Sequence, residues 1–437
     1  MNTSLCDSAT AFCRLKLAVV FVFFSAAFFT SCRDKNVFDK ELYREIVKGV
    51  YPVDTLEEDH PWTLLQRLTV SFAADIADNG IRELRVYYGH PLQTSASEVV
   101  AQAPISRDDT ISVTFDVAQA LARQLYAALV TSSGRHYVRP FAVGQNIVEF
   151  STGNTQYIEN VPSYKMQTFT YLYEDAFPMP EDFDYNDIVL RISRRVPQSD
   201  LLQLTVTLSA VGSYKQVAAA LRLPGVPYDK VARVDIAGGK SFNYDYPFRR
   251  KKLDFDDTVI EGKRGDAVIC LFEDAHWALL NKLDEYGMNI HAPYNTVLYE
   301  GTDTLTTLPE QTRTYNIYLK EGVDAYSLLL ADLDPFIIER TNNVNLEVHT
   351  YKYKFEEVVW QFMGDDKRAY DDYLAWALII PDGDFLYPVE EVPLGTYRNG
   401  ELYGAYGRFS HSFGQWARNF RESFDWWQYP INTLVYH

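Results

Sequence analysis

The chain has 437 residues, with 59 Asp and Glu against 41 Lys and Arg, and a formal net charge of −18 at pH 7. A surface this acidic does not neutralise the phosphates of a duplex, which argues against nucleic-acid binding and against adhesion to anionic lipid through the protein surface. The hydrophobic share of 47% and the charged share of 23% are typical of a folded chain. The length predicts two or three domains, and the many Tyr and Phe residues favour β-strands.

The N-terminus carries a segment typical of export. Basic residues precede an apolar run of thirteen residues, Leu17 to Phe29, and Thr30 and Ser31 separate the run from Cys32. Thirteen residues are too few for a membrane-spanning helix, which needs about 20. A positive start, a short apolar core and small residues before the cut are typical of a secretory signal. We therefore predict a signal peptide over residues 1–31.

The end of this signal resembles the lipobox of bacterial lipoproteins, whose cysteine becomes the lipid-modified N-terminus. The resemblance implies lipidation of Cys32, attachment to a membrane through the N-terminal lipid and, because Arg33 follows, location at the outer membrane. The periplasmic and cell-surface orientations both stay open. The alternative is an ordinary cleaved signal that leaves Cys32 unmodified. If Cys32 is lipidated, Cys270 is the one unmodified thiol of the mature chain, and its apolar surroundings are typical of a core residue.

Residues 32–60 are polar and charged without a sustained period, which predicts a tether. We predict that residues 61–160 form an immunoglobulin-like β-sandwich, because they contain several short segments of alternating apolar and polar residues. A short helix is predicted over residues 116–124. The strand candidates of this unit are residues 68–72, 84–88, 111–115, 125–130 and 137–143.

Residues 165–437 are predicted to form a larger β-sandwich or jelly-roll-like domain with a few short helices. The alternation is cleanest over residues 202–208. Further strand candidates are residues 233–236, 266–272, 314–319, 346–353 and 376–380. The chain as a whole is therefore predicted to be mainly β.

Helical periodicity is convincing at two places. The first is residues 276–283, where Asp274 is expected to cap the helix N-terminus. The second is an aromatic stripe with spacings of four, three, four and four, which places its members on one helical face and favours packing in the core. Its residues are Phe409, Phe413, Trp416, Phe420 and Phe424.

An acidic segment over residues 173–190 carries the strongest candidate for a metal site. Ca²⁺ takes 6–8 oxygen ligands at about 2.3–2.6 Å, whereas zinc would require His or Cys, which this segment lacks. If the backbone is extended, positions 182, 184 and 186 point three oxygens the same way. The alternative is an acidic turn held by local backbone hydrogen bonds. The predicted Ca²⁺ ligands are Glu174, Asp175, Asp182, Asp184, Asn186 and Asp187.

The same segment resembles the signature of LruC-type domains, which occur in exported and lipid-anchored proteins of Gram-negative bacteria. The signature residues are Tyr173-Glu174-Asp175 followed by Asp182-Phe183-Asp184-Tyr185-Asn186-Asp187-Ile188-Val189. The resemblance continues at residues 268–276, 333–338, 347–349 and 377–381, and it extends over about residues 167–429. It implies a non-enzymatic, β-rich module with a Ca²⁺ site at the acidic motif. The partners of such domains are mostly unknown.

Other motifs point away from catalysis. The eight His show no spacing that would gather a zinc site, and there is no Gly-x-Ser-x-Gly, His-Glu-x-x-His or Cys-x-x-Cys motif. His276 and His349 are expected to be buried hydrogen-bonding residues. We therefore expect a non-enzymatic protein with a binding or scaffolding role in the cell envelope and an unknown protein or glycan partner.

Two alternatives remain. One is a surface glycan-binding module, for which Trp426, Trp427 and Tyr429 would have to be exposed as a stacking platform; packing of these rings at the chain's end is the simpler interpretation. The other is a hydrolase, which would need two carboxylates that converge in a cleft.

Overall fold

The computed structural model describes residues 53, 57, 59–92, 98–161, 163–177, 181–237, 260–261, 265–280, 291–297, 307–341, 344–353 and 374–436. The predicted signal peptide, Cys32 and most of the predicted tether lie outside these residues. The prediction of a mainly β chain is confirmed, because the described residues form several sheets and their two α-helices have six residues each. Within these ranges, no helix combines the length and the apolar character that crossing a membrane requires.

The first unit consists of two facing sheets. Its strands are β1 Leu65–Ala74, β2 Ile81–Tyr87, β3 Glu98–Pro104, β4 Thr110–Ala118, β5 Gln124–Thr131, β6 His136–Ala142, β7 Ile147–Phe150, β8 Gln156–Ile158 and β9 Lys165–Met166. One sheet has the order β4-β1-β7 and the other β8-β6-β5-β2-β3-β9. Alternate residues such as Val70 and Phe72 from the first sheet meet Leu84 and Leu129 from the second in one core. This arrangement is a β-sandwich.

Two sequence-based predictions differ from the structure of this unit. The predicted helix over residues 116–124 is wrong: residues up to Ala118 complete β4, which pairs with β1, and a single 3₁₀ turn, Gln119–Leu121, follows. The sheet also extends beyond residue 160, because β9 pairs in parallel with β3. Pairing with distant strands overrides local helical preference here.

The second unit is also a pair of packed sheets. Its strands are β10 Thr168–Tyr173, β11 Ile188–Gln198, β12 Leu201–Ala210, β13 Gln216–Pro227, β14 Val231–Ala237, β15 Ile260–Glu261, β16 Asp266–Phe272, β17 Gln311–Leu319, β18 Asp334–Thr341, β19 Val344–Val348, β20 Ala377–Ile380, β21 Thr396–Arg398, β22 Glu401–Tyr403, β23 Gly407–Arg408 and β24 His411–Ser412. One sheet has the order β14-β17-β12-β11-β10-β20 and the other β15-β16-β13-β18-β19. The last four strands form two small hairpins.

The main core lies between these two sheets. Leu204, Val206 and Leu208 of β12 are buried, and the polar residues between them face the other side, as the alternation predicts. From the other sheet, Leu221 and Ile269 enter the same core. Burial of this alternating face removes apolar side chains from water, which stabilises the second unit.

Both predicted helices are found in part, and residues 281–283 of the first lie outside the described residues. Helix α1, Ala275–Leu280, begins after Asp274, whose carboxylate accepts a hydrogen bond from the Trp277 backbone N–H at 3.2 Å, so the predicted cap is confirmed. Helix α2, Phe413–Arg418, carries two members of the aromatic stripe, and Phe409 lies 80% exposed in the hairpin between β23 and β24. The prediction of one continuous aromatic helix is therefore wrong, because β23 and β24 pair as a hairpin and the helix begins only after Ser412.

The end of the predicted tether is packed against the second unit. Val53 pairs with Tyr397, and both Val53 and His60 are buried. His60 donates from Nε2 to the Trp416 carbonyl at 2.9 Å. The prediction that the tether continues to residue 60 is therefore wrong, because these side chains are buried, whereas a solvated linker would leave them in water.

Candidate metal centre

The acidic segment connects two central strands of the larger sheet. Strand β10 pairs antiparallel with β11, and residues 174–187 form the connection at their common end. The backbone N–H of Glu174 donates to the Trp376 carbonyl at 3.0 Å, which continues the pairing of β10 with β20. The segment is therefore held on both sides by the sheet.

Three carboxylates converge within this connection. Oxygen atoms of Glu174, Asp182 and Asp184 lie within 4.8 Å of one another. Glu174 is 0% exposed and Asp184 is 2% exposed, whereas Asp182 reaches the surface. The group is thus a buried acidic cluster with one member accessible to solvent.

The backbone reaches this arrangement through two residues in the left-handed region, so it is not the extended backbone under which positions 182, 184 and 186 would point the same way. Phe183 and Tyr185 have φ values of 55° and 57°, which are rare for residues with large side chains. Both rings are fully buried, and the Phe183 ring centroid lies 5.5 Å from that of Trp376. The Tyr185 hydroxyl also donates to the Ala375 carbonyl at 2.6 Å. Burial of the two rings therefore stabilises an otherwise unfavourable backbone conformation, and this conformation brings the carboxylates together.

Two buried oxygens lack a hydrogen-bond donor among the described residues. Glu174 uses Oε1 to accept from the Tyr185 N–H at 2.5 Å, and its Oε2 has no such partner. Asn186 donates from Nδ2 to the Pro388 carbonyl at 3.1 Å, which leaves its Oδ1 as a buried acceptor without a donor. A buried acceptor without a partner costs about 1–3 kcal/mol, so a ligand that satisfies either atom would be stabilising.

Residues far along the chain complete the surroundings. Asp184 accepts a hydrogen bond from the Glu391 N–H at 2.9 Å. A Cβ added to Gly212 would lie 2.1 Å from Asn186 Oδ1 and 3.1 Å from Glu390 Oε2, so glycine is required for this close approach. Sequence reasoning missed Gly212, Glu390 and Glu391, because no spacing or motif links them to the acidic segment.

Burial and mutual repulsion disfavour the charged forms of these carboxylates. Burial raises the pKa of Glu174 and of Asp184 well above the usual range, and neighbouring carboxylates raise it further. The pKa of Asp187 is raised well above its usual range for the same reasons. Burial also raises the pKa of Glu390 to about 7. A bound cation would remove the repulsion and let the carboxylates ionise.

Asp175 and Asp187, two of the six predicted ligands, are engaged elsewhere. Asp175 lies 2.9 Å from Lys215 Nζ and accepts a hydrogen bond from the Ser213 hydroxyl. Asp187 accepts from the Asp175 N–H at 2.7 Å. Lys215 neutralises Asp175, so the converging ligand set is Glu174, Asp182 and Asp184, with Asn186 beside them.

The aromatic residues at the chain's end do not form an exposed platform. Trp426 is fully buried, with its ring against Phe385, Tyr406 and Phe413, and Trp427 is also buried. Tyr429 is partly exposed, and its ring stacks on His411 at a centroid distance of 3.9 Å. The alternative in which Trp426 and Trp427 contact a glycan is wrong, because core packing removes both rings from solvent.

Comparison with known families shows which protein family the second unit matches. Residues 201–427 match DUF4842, a domain of unknown function. The chain belongs to the DUF4842 family. The DUF4842 match includes Gly212, Lys215 and Glu390, while the acidic connection, residues 174–187, lies outside it. No curated protein and no solved structure matches the chain.

Proposed function

We propose that this DUF4842 protein is a lipid-anchored cell-envelope protein with a binding or scaffolding role, and that Ca²⁺ stabilises its second unit. It is proposed to be non-enzymatic and to act on an unknown protein or glycan partner. The single observation that carries the Ca²⁺ proposal is the convergence of Glu174, Asp182 and Asp184, among which the buried Glu174 Oε2 has no donor among the described residues.

The donor set favours Ca²⁺ over softer metals. All the donors are carboxylate or amide oxygens, the ligand type of Ca²⁺ and Mg²⁺, and no His or Cys belongs to the cluster. Bound Ca²⁺ would neutralise buried charge and join the acidic connection to the segment of Glu390 and Glu391. The metal would supply stability and no reaction step.

The resemblance to LruC-type domains supports the same proposal. The acidic signature, Tyr173-Glu174-Asp175 with residues 182–189, contains the converging carboxylates. The family resemblance implies export and lipid anchoring, in agreement with the leader and Cys32. We propose an outer-membrane location on these grounds.

We expect Ca²⁺ at ten times its dissociation constant to stabilise the chain by about 1.4 kcal/mol. For a unit of this size, that corresponds to a rise in Tm of about 3–6 °C relative to the chelator-treated protein. In Glu174→Gln the rise should disappear, because a ligand charge is lost. The Tyr185 N–H can still bond the amide oxygen, so the metal-free variant should be at least as stable as the metal-free parent.

Thermal unfolding followed by circular dichroism measures both effects. Glu401→Gln is the matched control, because Glu401 is exposed in β22 of the same unit, and it should keep the full Ca²⁺-dependent rise. A parent protein whose Tm is the same in Ca²⁺ and in chelator, or a Glu174→Gln protein that keeps the rise, would contradict the proposal.

Anchoring is tested separately in bacterial cells that express the full chain. Cys32→Ser should abolish incorporation of an alkyne-labelled fatty acid and move the protein out of the detergent phase, because the acceptor thiol is removed. Cys270→Ser is the control and should label normally, since the Cys270 thiol is buried in the fold. Continued labelling of Cys32→Ser would show that Cys32 is not the anchor.

A further inference from the structure

Strand β4 forms one edge of the smaller sheet of the first unit. In the order β4-β1-β7 it pairs with β1 on one side, and no described strand pairs with it on the other. An unpaired edge presents a row of backbone N–H and C=O groups to which another strand can bind, and native proteins protect such edges with charge, proline or covering segments. The protection along β4 therefore indicates where a further strand can pair.

Backbone bonds at both ends of the β1–β4 pair define which residues face the open edge. The Ala74 N–H donates to the Asp109 carbonyl at 2.9 Å, and the Gln119 N–H donates to the Leu64 carbonyl at 2.9 Å. Bonded residues alternate along an antiparallel ladder, so the odd-numbered residues of β4 bond to β1. The even-numbered residues direct their backbone N–H and C=O groups to the edge.

Side chains at the junction of the two units cover the C-terminal part of this edge. The Asp116 carbonyl accepts a hydrogen bond from Gln167 Nε2 at 3.1 Å. The Ala118 N–H donates to the Tyr88 hydroxyl at 2.7 Å. These bonds engage outward backbone groups that a further strand would need, which closes residues 116–118 to strand pairing.

The N-terminal part of the edge, Thr110-Ile111-Ser112-Val113-Thr114, is open. The outward backbone groups of its three even-numbered residues have no partner among the described residues, and the three side chains are exposed. The stretch contains no proline and no charged residue, although the chain carries a net charge of −18. It therefore lacks the features that usually prevent an edge from pairing.

The open stretch is also complementary to itself. When two copies pair antiparallel about a two-fold axis at Ser112, Thr110 of each copy lies opposite Thr114 of the other, on the exposed face. On the opposite face Ile111 meets Val113 of the other copy, and both side chains are only partly buried within one chain. Cross-strand pairs of this kind are favourable. In this register every outward N–H and C=O group of the three even-numbered residues meets a partner.

We propose that the protein forms a two-fold symmetric dimer in which residues 110–114 of two copies pair antiparallel and join the two three-stranded sheets into one. A two-fold interface uses the same surface on both copies, which the self-complementary stretch provides. Two copies of so acidic a chain repel each other, so an uncharged contact is where they can approach. The interface is small, and we expect a dissociation constant of about 10–100 µM.

Sedimentation analysis of the full chain over this concentration range tests the dimer. Cys32→Ser is present in every sample, so that no attached lipid contributes to association. Ser112→Pro should weaken the dimer by at least about tenfold, because it removes an outward N–H and leaves the bonds to β1 in place. Circular dichroism checks that each variant folds.

A charge exchange at position 112 tests the two-fold register and does not depend on the proline variant. Ser112→Lys alone and Ser112→Asp alone should each weaken the dimer by at least about tenfold, because like charges then lie directly opposite each other. An equimolar mixture of the two should associate within about threefold of the parent affinity, since opposite charges meet. Ser132→Lys is the matched control: Ser132 is exposed in the turn between β5 and β6, and this variant should dimerise as the parent does.

The dimer depends on neither the Ca²⁺ site nor the lipid. Glu174→Gln should dimerise normally, so failure of the Ca²⁺ proposal leaves this one standing. A parent protein that stays monomeric at about 1 mM would overturn the dimer and leave the edge to a strand of a different protein. Full association of Ser112→Pro, or a mixture of the two charge variants that associates no better than either alone, would also overturn it.

Discussion

Replacing Trp416 with alanine is expected to lower the free energy of unfolding of the second unit by about 3–5 kcal/mol, because a large buried ring would leave a cavity. Trp416 is 1% exposed. Its ring centroid lies 4.6 Å from that of His60 and 5.5 Å from that of Trp62, so the cavity would open between α2 and the segment that enters the first unit. The loss should also release that segment from the second unit.

Urea unfolding followed by tryptophan fluorescence and circular dichroism measures this loss. Phe409→Ala is the matched control, because Phe409 belongs to the same aromatic stripe but is exposed, and it should change the free energy of unfolding by less than about 0.5 kcal/mol. Equal losses in the two variants would mean that the stripe lies on one buried helical face after all.

Asp334→Asn is expected to cost about 3–5 kcal/mol, because it removes the anion from a buried network of charged side chains. Asp334 is fully buried and lies 2.9 Å from Arg222 Nε and 2.9 Å from His349 Nδ1. Phe336 stacks on the His349 ring at 4.5 Å, which excludes water. The asparagine would leave the Arg222 guanidinium buried with less compensating charge.

The same network predicts a pH dependence. Burial by itself would lower the pKa of His349, but hydrogen bonds to Asp334 and Glu347 raise it to about 9. Between its ordinary value of 6.5 and about 9, the folded state binds more protons than the unfolded state, so the network's contribution is full below pH 6.5 and is lost as pH rises through 9. Asp334→Asn should flatten this part of the stability profile, because the charge that holds the proton is gone.

Chemical unfolding at a series of pH values measures the profile. Asp332→Asn is the control: Asp332 pairs with Arg67 and Lys352 at the surface, and its loss should cost no more than about 1 kcal/mol. If Asp334→Asn and Asp332→Asn lose the same stability, the buried network does not have the role assigned to it.

The sequence by itself determined the features that depend on neighbouring residues. Alternation over residues 202–208 predicted β12 and its buried face, because successive side chains of a strand point to opposite sides. The Asp274 cap was predictable because donor and acceptor lie three residues apart. The acidic segment was recognisable as a candidate metal site by the density of oxygen donors within fourteen residues, Glu174 to Asp187.

Only the tertiary structure decided which of these residues meet. Left-handed backbone at Phe183 and Tyr185 turns Glu174, Asp182 and Asp184 together, while Lys215 withdraws Asp175 from the group. The fold also places the rings of His276 and His291 side by side, which their sequence spacing did not predict. Strand periodicity is a property of the local backbone and can be predicted from the sequence. Convergence at a site depends on contacts between residues up to about two hundred positions apart, such as Asp184 and Glu391, and these exist only once both sheets have packed.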